Sequence, residues 1–217
     1  MKPILSKENI KPLFESKYIK VFDLQYDENR HYYNATRRSL DNLVAVKSDE
    51  EFRNMLPDAV ACVVILKIKD EEPKLLLSKE FRYPAGQFLL SPPAGLLDAE
   101  DAENANPILS AAAREITEET GIHLAETDSL TVINPLLFST PGMTDESNAL
   151  VCAVINLDNT STLSQEGAVG SECFDGFMLL SQTDAKKILN DGRDTEGLFY
   201  SVYTWAALMY FVSDLWR

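Results

Sequence analysis

The chain has 217 residues, 45% of them hydrophobic, with 34 acidic residues against 20 basic ones and a formal net charge of −14. That length suits one domain with an appendage and a real core, and so negative a balance argues against a protein that coats nucleic acid with a basic face. The longest apolar stretch, residues 202–212, is broken by threonine and tyrosine and is too short to span a bilayer, so a soluble protein with no membrane partner is expected.

In chain order, residues 1–56 are polar and dotted with aromatics, and residues 57–217 hold the main domain. Within the first region, alternation predicts strands over 18–24 and 32–38, with Asp27-Glu28-Asn29 as the hairpin turn between them. A hairpin this small is marginal alone, so it should pack on the main domain or on a second copy of the chain. Residues 59–68 form a nearly continuous apolar run, which suits a buried strand. Strands over 74–78 and 87–90 flank Phe81-Arg82-Tyr83-Pro84, and others follow over 131–138, 149–157 and 177–180. A helix capped by Ser181 comes next, with Asp184 in its first turn. The last helix is expected to bury Leu198, Val202, Trp205, Met209 and Val212, spaced four, three, four and three. Cys62 and Cys152 lie in apolar runs and read as packing residues; with Cys173 they make an odd, unpatterned three that fits no zinc site. With no apolar leader core after residues 1–7, a reducing cytoplasm is the expected location.

Between the strand at 87–90 and the one at 131–138 lies the most informative segment. Asn106-Pro107 is a good helix start, and Ile108, Ala112 and Ile116 repeat every four residues to give an apolar face. Residues 114–122 read Arg-Glu-Ile-Thr-Glu-Glu-Thr-Gly-Ile, with Gly121 where a helix C-terminus wants it. Glu115 and Glu119 share a face, Glu118 stands beside them, and like charges four apart destabilise a helix. Arg114 offsets only part of this. The concentration makes sense if a divalent cation supplies the missing charge, and hard oxygen donors suit Mg2+ or Mn2+. The plainer alternative is a charged surface helix without chemistry.

These residues resemble the signature of the Nudix hydrolases: Gly, five residues, Glu, seven residues, then Arg-Glu-hydrophobic-x-Glu-Glu-x-Gly-hydrophobic. The second half matches at every fixed position from Arg114 to Ile122. The first half matches at Gly95, but Asp101 stands where the family has Glu, and the gap to Arg114 is five residues longer, read as an insertion over 103–107. Glu80-Phe-Arg82-Tyr-Pro84 before the box and Ser139-Thr-Pro141-Gly142-Met-Thr-Asp145-Glu146 after it look like the ADP-ribose and nucleoside-diphosphate-sugar pyrophosphatase branch. The similarity runs over residues 18–212.

The resemblance implies an α/β/α sandwich with a mixed sheet and an N-terminal antiparallel hairpin extension. It implies metal-dependent hydrolysis of a pyrophosphate link, with Mg2+ (or Mn2+) held by Glu115, Glu118, Glu119 and the Ala94 carbonyl. Arg82 is the residue it sets against substrate phosphate or ribose, and a planar guanidinium suits a diphosphate. Arg37 or Arg38 is a second candidate, and Tyr33 a stacking partner for the base. The general base is sought in the acidic loop over 165–175, with Glu172 first, then Glu166 and Asp175. In this branch the N-terminal strands form a homodimer. Two other readings stay open: a UDP- or GDP-sugar as substrate, and a catalytically silent nucleotide-binding module.

Overall fold

Alternation over 18–24 marks the middle strand of a small antiparallel sheet. The computed structural model describes residues 5–168, 170 and 172–217, so residues 1–4 of the leader reading and Val169 and Ser171 of the acidic loop lie outside the described residues. The chain divides into two compact units, Met1–Asp58 with Leu136–Asn148, and Ala59–Pro135 with Ala149–Arg217.

In the first unit, β1 (Ile10–Glu15), β2 (Lys20–Asp27) and β3 (Arg30–Thr36) form a three-stranded sheet in that order. Asp27 pairs with Arg30 across a turn of Glu28 and Asn29, and Asn29 takes a φ of 56°, a conformation asparagine tolerates better than most residues. β1 escaped the sequence reading because only Ile10 of its six residues is buried, so it shows no alternation; its Pro12 sits on an edge strand, where a missing N–H costs nothing. Ile10, Phe22, Leu24 and Leu43 make this unit's core. A short helix, α1 (Asp49–Arg53), starts on a capping box of Ser48 and Glu51.

The second unit is built on β4 (Ala59–Ile68), in which every residue but Lys67 is buried. Then come β5 (Lys74–Arg82), β6 (Gln87–Ser91), β7 (Ala94–Leu96), α2 (Ala99–Ala102) and α3 (Pro107–Thr120). β8 (Ser129–Phe138), β9 (Ser147–Leu157), β10 (Phe174–Leu180), α4 (Gln182–Asp191) and α5 (Val202–Val212) complete it, although the end of β8 and the start of β9 fall in the first unit. The sheet runs β10-β5-β4-β9-β8, with β6 on β5 and β7 on β4. Val60, Cys62, Val64 and Leu66 share a cluster with Ala111, Ala112 and Ile116 of α3, while α5 also packs on β4. A mixed sheet with helices packed on it, preceded by an antiparallel hairpin, is the α/β architecture expected. β5 extends four residues beyond the expected strand and takes in Glu80 and Arg82.

The last helix corrects the sequence reading. Its buried residues are Thr204, Ala207, Leu208 and Phe211, whereas Val202, Trp205 and Met209 are exposed. Nearly every position of α5 is apolar, so periodicity could not say which face turns inward; Thr204 goes in because its hydroxyl finds the Leu90 carbonyl. Cys62 and Cys152 are buried, and Cys173 is exposed. Among the described residues no helix is long and apolar enough to cross a membrane.

Candidate functional site

α3 carries its glutamates because both ends are well specified. Pro107 occupies the first turn after Asn106, and Gly121 closes the helix at a φ of 73°, donating its N–H to the Thr117 carbonyl. Ala112 and Ile116 are fully buried, which fixes the rotation of the helix and turns Glu115 and Glu119 inward to 5% and 3% exposure. Buried carboxylates at this depth are costly unless something compensates them.

The compensation observed is partial. Arg114 Nη1 donates to Glu115 at 2.7 Å and to Glu118 at 3.2 Å, while its Nη2 donates to the Leu96 carbonyl at 2.8 Å and to Asp101 at 2.9 Å. One arginine thus joins α3, the β7 loop and α2. Asp101 is buried here; it caps α2 through the Asp98 N–H and accepts from Ser110. The longer loop therefore keeps Asp101 as the anchor of Arg114, and burial of its carboxyl is outweighed by Arg114, the Asp98 N–H and Ser110, leaving its pKa lowered. Arg114 in turn is raised: burial works against its charge, but Asp101 and Glu115 prevail.

Glu119 is less well served. Its Oε1 accepts the Ala94 N–H at 3.2 Å, and its Oε2 is buried with no hydrogen-bond partner. Burial pushes the Glu119 carboxyl up to about 9, against the Ala94 N–H and helped by the charges of Glu80, Glu115 and Glu172. Burial likewise raises Glu115 to about 7, against Arg114 and with Glu118 and Glu172 adding repulsion. Gly95 makes the packing feasible: a Cβ there would overlap the Glu115 carboxylate.

The remaining candidates fall into place on these elements. Ala94 lies in β7, paired with Ala61 of β4. Glu118 is a third exposed at its side chain and tied to Arg114. Arg82 ends β5 with its side chain 44% exposed and Nη2 2.6 Å from Glu80 Oε2. Glu172 is exposed, yet it is the loop carboxylate whose charge works on Glu80, Glu115 and Glu119. Glu166 is exposed in a turn held by Ser164, and Asp175 sets its charge toward Lys79. Tyr33 and Arg37 belong to the first unit, where Tyr33 is exposed and Arg37 pairs with Glu146 at 3.1 Å. Arg38 is nearly buried against Asp58.

Three residues escaped the sequence reading. Glu80 is a buried carboxylate one strand alternation from Arg82; a charged residue closing a buried strand run was the available signal. Gly167 lies so close to α3 that a Cβ would overlap the Glu118 carbonyl, and Gln165 donates to Ser78 and accepts from the Gly176 N–H. Gly167 thus sets the loop against the helix that carries the glutamates, and Gln165 ties it to β5 and β10, contacts that no spacing rule foretells.

Whether a divalent cation suits this site follows from the donors. Among the described residues no three His, Cys, Asp or Glu side chains converge as a ready metal cluster, and Arg114 is engaged with Glu115 and Glu118. The chemistry nevertheless fits: hard oxygen donors, a buried carboxylate oxygen without a partner, and two carboxylates whose charge the protein leaves unbalanced.

Against known proteins, a family model described as the NUDIX domain matches residues 55–194. An ADP-ribose pyrophosphatase of Saccharomyces cerevisiae is 34% identical over 123 residues, 54% of this chain and 49% of that protein. An uncharacterised Nudix hydrolase of Schizosaccharomyces pombe is 37% identical over 100 residues, covering 46% of this chain and 44% of its own length. An ADP-sugar pyrophosphatase of Mus musculus is 28% identical over 127 residues, covering 58% and 54%. The chain thus spans about half the length of these relatives. A crystal structure of an ADP compounds hydrolase superposes with a TM-score of 0.55 over the whole chain and 94% of its own, at 18% identity, a likeness of fold.

Proposed function

The chain belongs to the Nudix family, and on that premise we propose that it hydrolyses the pyrophosphate bond of ADP-ribose or a related nucleoside diphosphate sugar, giving a nucleoside monophosphate and a sugar phosphate. The observation that carries this reading is Glu119: an almost fully buried carboxyl with one oxygen unpaired and its pKa pushed up to about 9 by burial, beside Glu115 on the family's own helix. The names of the relatives in yeast and mouse support the choice of substrate class.

In this reading Glu115 and Glu119 hold Mg2+, with Glu118 and the Ala94 backbone as further donors, and Mn2+ serves as a substitute. A bound divalent cation neutralises phosphate charge and orients the diphosphate. The chain's own groups do the rest. Arg82 presents its guanidinium to a phosphate or ribose oxygen. Arg114 stays engaged with Asp101 and keeps α3 and the β7 loop in register. Glu172 takes a proton from the attacking water as its oxygen bonds to phosphorus; the anhydride P–O bond breaks, and its electrons leave with the second phosphate. Glu166 and Asp175 follow as bases in that order of preference, with Glu172 favoured by its electrostatic reach to the helix pair.

The first unit serves in this reading as the dimerisation and pocket extension. Its strands expose Leu13, Phe14, Tyr32 and Tyr33 and its β1–β2 turn exposes Tyr18 and Ile19, large apolar side chains of which a second copy would cover a part in a cytoplasmic homodimer. Arg37 and Tyr33 are its candidates for substrate contact. The decisive assay is AMP release from ADP-ribose with Mg2+, repeated with chelator. Release that depends on the cation and disappears in Glu119→Gln supports the proposal; a cleanly folded protein that binds ADP-ribose and never releases AMP overturns it in favour of a silent binder.

A further inference from the structure

One charged side chain beside the glutamate helix has no part in the family signature. Glu80 lies near the end of β5, 9% exposed, and strand alternation sets Ser78, Glu80 and Arg82 on one face. β6 pairs Ser91 with Ser78 and Leu89 with Glu80, which makes Ser91 the diagonal neighbour of Glu80, within reach of a long side chain. The Ser91 hydroxyl bonds to the Glu80 carboxylate and lies 3.5 Å from Arg82 Nη2, while Glu80 Oε2 stands 2.6 Å from the same nitrogen.

We infer that Glu80 is a positioning residue that holds the Arg82 guanidinium in its substrate-facing orientation. This rests on the reading of Arg82 as a phosphate or ribose contact. The asymmetry of the pair argues for it: the Glu80 side chain is 12% exposed and anchored by Ser91, whereas Arg82 is 44% exposed. One end is fixed in the protein and the other reaches solvent. An arginine on a free surface loses rotamer entropy each time it grips a ligand, a cost that a prior anchor lowers. A guanidinium has five N–H donors, so contacts through Nη2 do not exhaust it. Glu80 also adds negative charge beside Glu119, and Arg82 offsets that charge locally. The ion pair thus offsets part of the effect of burial, which still leaves the Glu80 carboxyl above its ordinary value, while it fixes the arginine.

The test uses the full chain, ADP-ribose and Mg2+, with Mn2+ affinity read separately by electron paramagnetic resonance. Glu80→Gln keeps the shape and the hydrogen bond to Ser91 and removes the charge; it should raise KM about tenfold with kcat changed less than about threefold. Arg82→Ala should raise KM at least as much, and the double variant no further than Arg82→Ala alone. Ser91→Ala, a milder probe if Glu80→Gln folds poorly, should raise KM about threefold. Mn2+ affinity should stay within about twofold of the parent in all of them. An unchanged KM in Glu80→Gln, or effects that add in the double variant, overturns the positioning role. A marked loss of Mn2+ affinity in Glu80→Gln also overturns it, assigning the charge to the cation site. If Arg82→Ala itself leaves KM unchanged, the reading of Arg82 is what has failed, and the two failures are told apart.

Discussion

Each unit of the molecule holds a cluster of charged side chains, and the two are built on different terms. In the first unit Arg37 and Arg38 each face a carboxylate of their own. Arg38 Nη2 stands 2.6 Å from Asp58 Oδ1, although its N–H groups are not aligned for a hydrogen bond, and Arg37 Nε donates to Glu146 at 3.1 Å. Asp58 also accepts from the N–H and the hydroxyl of Ser147, and Asp145 accepts from the Val44 N–H. In the second unit Glu80, Glu115, Glu118, Glu119 and Glu172 share Arg82 and Arg114, and Arg114 is also claimed by Asp98 and Asp101. The first cluster pairs Arg38 with Asp58 and Arg37 with Glu146 and leaves Asp145 Oδ1 without a hydrogen-bond partner. The second is left short of positive charge, and a folded protein retains such a deficit where something else is to complete it. Both clusters hold more carboxylates than arginines, and the excess is far larger in the second, where burial raises Glu115 and Glu119.

That contrast can be broken at several points. The largest effect is expected from Glu119→Gln, which should lower turnover about a thousandfold or more, since it removes an anchor for transition-state charge. The same change should leave metal-free protein more stable than the parent in thermal melts above about pH 9, where the buried Glu119 carboxyl must ionise. A loss of stability there would show that the Glu119 charge is answered within the fold, as that of Asp58 is by Arg38. Arg38→Ala in the first unit should behave oppositely, costing about 3–5 kcal/mol in denaturant melts because Asp58 is left buried without its partner.

Glycine substitutions come next. Gly95→Ala should displace Glu115, and Gly167→Ala should push the loop off the Glu118 carbonyl; each should cost about 1–3 kcal/mol and reduce kcat more than it changes KM. Titration sharpens the comparison further. Glu115 near 7 and Glu119 near 9 both lie above the ordinary 4.5, so the folded chain keeps protons that the unfolded chain has released. Their contribution to stability is whole below about pH 4.5 and is lost as the pH rises through each folded value. Metal-free protein should therefore melt at a lower temperature at pH 9 than at pH 6. Added Mg2+ should narrow the gap, and Glu119→Gln should shrink it without metal. The smallest effect is expected at α5, where Trp205→Ser should shift stability by less than about 0.5 kcal/mol because that ring faces solvent.

Much of this was legible before any coordinate. The apolar run at 59–68 is β4 to the residue, the Asn106-Pro107 start and Gly121 stop bound α3, and the Asp27-Glu28-Asn29 turn joins two strands. These signals are local: alternation, capping and a positive φ are properties of a few neighbouring residues. The crowding of Glu115, Glu118 and Glu119 is local too, and it pointed to a cation before the fold was known. β1 was illegible because a mostly exposed edge strand carries no pattern, and the inward face of α5 because an almost wholly apolar helix has no preferred side.

Sequence alone therefore determined the main strands of the second unit, the family and the helix that bears the glutamates. Tertiary structure decided how each of those charges is answered: that Asp101 serves Arg114 across the longer loop, that Glu80 joins the cluster from a strand, and that one oxygen of Glu119 is left without a partner. The reason is physical. A carboxylate's neighbours across strands and loops set its burial and its field, and those neighbours come from residues far apart along the chain.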